Sequence, residues 1–146
     1  MDIINQFNGK LIGVDTSVFI YFIEGNPRYS KFTNEFFLKN QQGKFSIITS
    51  VITLLEVLVQ PYKNSRADLI KEYKAIFEES PGIDLVDLNP EICEISAKLR
   101  ADYRVRTPDS IEIGTALYGG ADFFLTNDIR LEVIKEIPII ALDKVI

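Results

Sequence analysis

The sequence predicts an α/β fold: a three-layer α/β/α sandwich around a mostly parallel central sheet of about five strands. Two observations predict it. Short apolar runs alternate with helical patterns along the whole chain, and several of those runs end directly on a helix-start signal. Strands separated by helices must cross over, so they pair in parallel and are covered on both faces.

Taken in order, Leu11-Ile12-Gly13-Val14 is a buried strand ending in Asp15-Thr16-Ser17, which opens a helix that Gly25-Asn26-Pro27 stops. Tyr29, Phe32, Phe36 and Phe37 mark the inner face of a second helix. Phe45 to Thr49 is the next strand, and Ser50 caps a helix that Pro61 is expected to close. Ser65 is expected to open a helix with Leu69, Ile70, Tyr73, Ile76 and Phe77 at core spacing. Ile83 to Leu88 forms a third strand after the Pro81-Gly82 turn. Asn89-Pro90 starts a helix that turns Ile92, Ile95, Leu99 and Tyr103 inward. Thr107-Pro108-Asp109-Ser110 starts another, ending at Gly119-Gly120. Asp122 to Thr126 and Pro138 to Leu142 supply the last two strands, with one short helix between them.

Right-handed crossovers put the carboxyl ends of all these strands along one edge, and ligands of such sheets sit in the crevice outside it. That edge is where the chain's acids collect. Asp15, Asp109 and Asp128 each stand at a helix start, and Glu56 lies in Val51 to Val59, a helix apolar nearly all round and so expected to be buried. Each has an ordinary reading too. Asp15 and Asp128 can cap helices. Asp109 suits the positive end of a helix dipole. Glu56 can pair with an arginine or reach solvent. Glu112, one turn beyond Asp109, is either a fifth acid or a solvent-facing residue. As a set they are harder to explain by capping, because clustered like charges cannot all stay ionised. A bound Mg²⁺ or Mn²⁺ removes that repulsion and takes oxygen ligands.

Composition narrows the chemistry further. The 146 residues, 47% hydrophobic and 25% charged, suit one globular domain over residues 1–146. The chain contains no histidine, and its one cysteine, Cys93, is expected to be a small apolar filler. Zinc chemistry and histidine-activated nucleophiles are thereby disfavoured. No apolar run approaches the ~18 residues of a membrane span. The opening Met1-Asp2-Ile3-Ile4-Asn5 lacks the basic region of a signal peptide, so a cytoplasmic location is expected. The net charge of −5 argues mildly against nucleic acid, yet Lys98, Arg100, Arg104 and Arg106 cluster just before Asp109. That cluster suits a solvated helix end as well as it suits phosphate contact.

With these motifs in hand, the chain resembles the PIN-domain family, and within it the VapC-type toxin ribonucleases of bacterial toxin–antitoxin pairs. The resemblance rests on Asp15-Thr16-Ser17-Val18-Phe19-Ile20, the Glu56 helix, Thr107 to Leu117 and Leu125-Thr126-Asn127-Asp128, and it covers essentially the whole chain. It implies Mg²⁺- or Mn²⁺-dependent hydrolysis of RNA phosphodiesters. Asp15 and Asp109 would be the main metal ligands and Asp128 a further one, with Glu56 ligating metal or orienting the attacking water. Ser17 and Thr126 would orient those carboxylates, and Arg100, Arg104 and Arg106 would contact RNA. A homodimer and a cognate antitoxin covering the cleft are also implied. One departure stands out: many relatives carry another acid two residues after the Asp128 position, where this chain has Arg130, which points to a single-metal site or a weak second one. The alternative is a catalytically silent PIN-fold scaffold that binds RNA or protein, since a fold guarantees no activity. A phosphatase reading is disfavoured because Ser17 stands where an Asp-x-Asp pair would need its second acid.

Overall fold

Leu11–Val14 (β1), Ser46–Ser50 (β2), Ile83–Val86 (β3), Phe123–Thr126 (β4) and Ile139–Ala141 (β5) form one sheet in the order β3-β2-β1-β4-β5, with every neighbouring pair parallel. The computed structural model describes residues 2–146. Its helices are α1 (Ile3–Gln6), α2 (Thr16–Ile23), α3 (Ser30–Gln41), α4 (Val51–Lys63), α5 (Ala67–Glu79), α6 (Pro90–Asp102) and α7 (Thr107–Tyr118). Single 3₁₀ turns follow β4 and β5. The expected three-layer sandwich with a five-stranded parallel sheet is therefore the observed one.

Alternation along the strands divides the core in two. Ile12, Val14, Ile47, Ile83 and Leu125 pack on one face against Phe7, Phe19, Phe36, Phe37 and Tyr73. Phe124 points the other way, into a smaller cluster with Leu99, Ile113 and Ala116 from α6 and α7. The larger cluster is knitted by aromatic edges, as in the T-shaped Phe7–Phe36 pair with centroids 5.8 Å apart.

Two glycines set the position of α7. A Cβ on Gly13 of β1 would come within 2.6 Å of Ala116 Cβ, and one on Gly114 would come within 2.5 Å of Ser96 Oγ. Without those side chains α7 lies hard against both β1 and α6, and Ser96 Oγ donates to Ser110 O at 2.9 Å across the second contact. This close approach carries the start of α7 to the carboxyl edge of the sheet.

Several local expectations fail for physical reasons. Pro61 does not close α4, which runs on to Lys63. The proline falls in the last turns and its ring is buried, so its missing N–H removes one rung while packing holds the backbone. Ser65 does not open α5; it takes a left-handed turn conformation with φ 52°, and the helix begins at Ala67. Cys93 is no core filler: it sits on the exposed side of α6. The α4 helix is not buried all round, since Leu55 is 60% exposed and Tyr62 64% exposed. The short α1 helix has too little periodicity to read from sequence; Asp2 caps it by accepting from Ile4 N at 2.9 Å. Among the described residues no helix is long and apolar enough to cross a membrane.

Candidate metal centre

The chain leaves β1 toward β2 on one side, while β4 lies on the other, so the sheet order reverses between β1 and β4. Side chains at their carboxyl ends enclose a crevice of the kind that binds ligands in open α/β sheets. A cavity of ≈ 320 Å³ opens there, lined by Asp15, Thr16, Ser17, Ile20, Tyr21, Glu56, Arg106, Asp109, Glu112, Asn127 and Asp128.

Asp15 follows β1 and caps α2, its Oδ1 accepting from Thr16 N at 2.7 Å. Its other oxygen accepts from the buried Thr126 hydroxyl at the end of β4, at 2.6 Å. Capping engages one oxygen of this carboxylate and Thr126 the other. Asp109 and Glu112 come from the first two turns of α7, three residues apart and hence on one helix face. One oxygen from each of Asp15, Asp109 and Glu112 lies within 4.8 Å of the others. Exposures of 9%, 8% and 3% keep all three from being screened by bulk water.

Glu112, left open by the sequence, is the most deeply held of the acids. Its Oε1 accepts from Thr16 N at 3.1 Å, Thr16 Oγ1 at 2.8 Å and Thr53 Oγ1 at 2.8 Å. The hydroxyl of Thr16 also lies 2.7 Å from Glu56 Oε1. That hydroxyl has one proton and can donate to only one of the two glutamates at a time. Burial raises the pKa of Glu112 well above the usual range, and the charges of Asp15 and Glu56 push it the same way. Burial likewise raises Asp15; hydrogen bonds from Thr126 and with Glu112 oppose the rise, and the Asp109 charge adds to it.

The other acids stand further out. Glu56, half-buried on α4, reaches the cavity and is tied to it through Thr16. Asp128 caps the 3₁₀ turn after β4 and is gripped by Arg130, whose Nε and Nη2 donate to its two oxygens at 3.0 and 2.8 Å. Hydrogen bonding from Arg130 holds the Asp128 carboxyl below its ordinary pKa. Ser17 lines the cavity, but its buried Oγ has no hydrogen-bond partner among the described residues. The hydroxyls that touch carboxylates are those of Thr16, Thr53 and Thr126. Of these, only Thr126 is legible from its motif.

The basic residues divide similarly. Arg106 lines the cavity, and its Nε donates to Asp109 Oδ2 at 3.2 Å from a side chain that is 71% exposed. Arg104 and Arg130 join it around a small adjoining hollow beside Asp109 and Asp128. Arg100 turns away: its Nε donates to Val105 O at 3.2 Å and its Nη1 to Thr107 Oγ1 at 2.9 Å, bracing the α6–α7 connection.

The candidate metal ligands of the pocket are carboxylate oxygens, with no histidine in the chain and Cys93 on the surface of α6. Such a donor set suits a hard divalent cation. Three buried acids this close together concentrate negative charge that such an ion would offset.

The family model described as "PIN domain" matches residues 12–137. No curated protein sequence matches the chain significantly. Among solved structures, VapBC2 from Rickettsia felis, bound to a DNA fragment from its promoter, is similar with a TM-score of 0.71 at 18% identity, covering 90% of this chain and 98% of that one. A toxin–antitoxin complex from Klebsiella pneumoniae gives 0.66 at 20% identity, covering 92% and 98%. The sarcin–ricin loop cleaving toxin VapC20 of Mycobacterium tuberculosis gives 0.66 at 13% identity, covering 88% and 98%.

Proposed function

This chain belongs to the PIN-domain family, and from that premise we propose that it is a metal-dependent endoribonuclease acting as the toxin of a toxin–antitoxin pair. The observation that carries the proposal is the convergence of oxygens from the buried Asp15, Asp109 and Glu112 within 4.8 Å, in a cavity with no histidine or cysteine in its lining. Those three carboxylates would hold a Mg²⁺ or Mn²⁺ ion. When bound, such an ion supplies Lewis acidity to a phosphoryl oxygen and a more acidic water.

The chain's own residues complete the site. Thr126 and Thr16 fix the two oxygens of Asp15, so that carboxylate meets the cavity in one orientation. Glu56, 2.7 Å from the Thr16 hydroxyl, is the proton acceptor for the attacking water in this reading. Arg106 and Arg104 are the phosphate contacts, standing on the exposed rim beside the acids. Asp128 serves as a rim residue whose charge Arg130 already neutralises in part.

The similar structures of toxin–antitoxin complexes support a protein partner, here an antitoxin. The exposed Leu55, Val59 and Tyr62 of α4 offer apolar surface for such a partner or for a second copy of the chain. A silent scaffold is the second reading, favoured by one observation: Asp109 and Asp128 are each already paired with an arginine. Incubation of labelled RNA with the purified chain decides between them. The nuclease reading requires cleavage with Mg²⁺ or Mn²⁺ that chelation stops and Asp15→Asn abolishes without unfolding the protein. RNA that stays intact with metal present would favour the scaffold.

A further inference from the structure

Among the described residues, Tyr21 is the one aromatic side chain in the wall of the acidic cavity, and the proposed chemistry gives it no task. Its ring lies nearly parallel to Tyr29, with centroids 4.3 Å apart and planes 19° from one another. Tyr29 is buried and anchored, its hydroxyl donating to Asp143 Oδ1 at 2.7 Å. At the far end of the Tyr21 ring the phenol oxygen accepts from Asn127 Nδ2 at 2.6 Å, which ties it to the loop carrying Asp128. The ring is therefore held by a stack behind it and a hydrogen bond at its tip, and Tyr21 is half-buried in the cavity wall beside the acids.

A rigid aromatic surface next to a phosphate-directed site has an obvious ligand chemistry. Every nucleobase has a π-face, and single-stranded nucleic acid is held by stacking unpaired bases on fixed rings. We propose that Tyr21 is a stacking platform for an unpaired base adjacent to the scissile phosphate. The inference rests on the nuclease reading and adds a base-binding side chain to it. Tyr29 is the backing of the platform, and Asn127 links the ring's position to the acidic loop.

The test measures binding by the full chain, with Ca²⁺ in place of Mg²⁺ to suppress turnover, of a short mixed-sequence single-stranded RNA and of an abasic ribose-phosphate strand of equal length. Tyr21→Ala is expected to weaken binding of the RNA about tenfold, the usual loss for one stacked base, and to leave the abasic strand unchanged. Tyr21→Phe keeps the ring and should retain RNA affinity; Tyr21→Leu keeps apolar packing on Tyr29 without a π-face and should behave like Tyr21→Ala. Because the chain has no tryptophan, Tyr21→Trp adds a unique fluorophore whose emission should be quenched by the RNA but not by the abasic strand. Equal losses on both strands, no loss on either, or a Tyr21→Phe chain as weak as Tyr21→Ala would overturn the platform alone. A wild-type chain that neither binds nor cleaves RNA would overturn the nuclease reading along with it.

Discussion

Arg130 grips both carboxylate oxygens of Asp128, through Nε at 3.0 Å to Oδ1 and Nη2 at 2.8 Å to Oδ2. The same backbone turn adds a third bond, from Arg130 N to Oδ1 at 3.0 Å. An acid so engaged is a poor candidate for binding a second ion, because the guanidinium already supplies its counter-charge in a bidentate geometry. The site is accordingly expected to hold one divalent ion per chain. Asp128→Asn should lower Mn²⁺ affinity by less than about fivefold, whereas Asp109→Asn should lower it at least a hundredfold; both estimates follow from the ligand arrangement. Isothermal titration of the two variants checks the contrast, and equal losses would place Asp128 among the ligands.

Glu112 and Asp15 give the metal-free chain a distinctive pH response. Both carboxyls bind protons more tightly in the folded chain than in the unfolded one, chiefly through burial. Their contribution to stability is therefore complete below the unfolded carboxylate range near ~4 and declines as pH rises through the raised folded values. Glu112→Gln removes the largest of these shifts, so the variant's thermal midpoint should gain on wild type as pH increases. Mg²⁺ should reverse the order, since ligands must lose their protons to bind it and metal stabilisation grows with pH. Scanning calorimetry of both proteins across pH, with and without Mg²⁺, supplies the check; a Glu112→Gln advantage that shrinks toward alkaline pH would be inconsistent with a buried glutamate whose pKa is raised.

Gly13 governs the geometry of the centre from beneath it. An added methyl would meet Ala116 Cβ at 2.6 Å and the Phe124 ring at 2.9 Å. The Gly13→Ala chain should lose about 1–3 kcal/mol from overpacking. It should also bind Mn²⁺ more weakly, because α7 carries two of the three ligands. Urea unfolding and metal titration on the same sample test the two effects together. Full metal affinity in a destabilised variant would separate helix placement from the site.

The arginines before α7 are expected to differ in kind. Arg104→Ala or Arg106→Ala should weaken RNA binding and flatten its salt dependence by roughly 0.7 per lost phosphate contact on a single strand. Arg100→Ala should leave that slope alone and cost about 1 kcal/mol of stability, since its bonds go to Val105 O and Thr107 Oγ1. Salt titrations of the three variants distinguish them.

The sheet and the position of the crevice are legible in the sequence because strand-then-helix-start signals recur at Asp15, Ser50 and Asp128. What sequence cannot supply is the rotational setting of each helix. Glu112 reads as either a fifth acid or a surface residue until the close seating of α7 on Gly13 turns it inward. The apolar run around Glu56 reads as a buried helix, yet Leu55 and Val59 face outward, because nothing in the remaining described chain packs over that side. Thr16 reads only as part of the Asp15-Thr16-Ser17 helix start, and the meeting of α2, α4 and α7 places its hydroxyl between two glutamates. Arg100 and Arg106 look alike in one dimension and diverge because one points back along the α6–α7 connection.

Anomalous diffraction from crystals of the full chain grown with Mn²⁺ tests the centre most directly. One strong peak is predicted, bonded to oxygens of Asp15, Asp109 and Glu112 and displacing Arg106 from Asp109. A peak seated on Asp128 instead, or crystals at saturating Mn²⁺ with no peak in the pocket, would contradict the account.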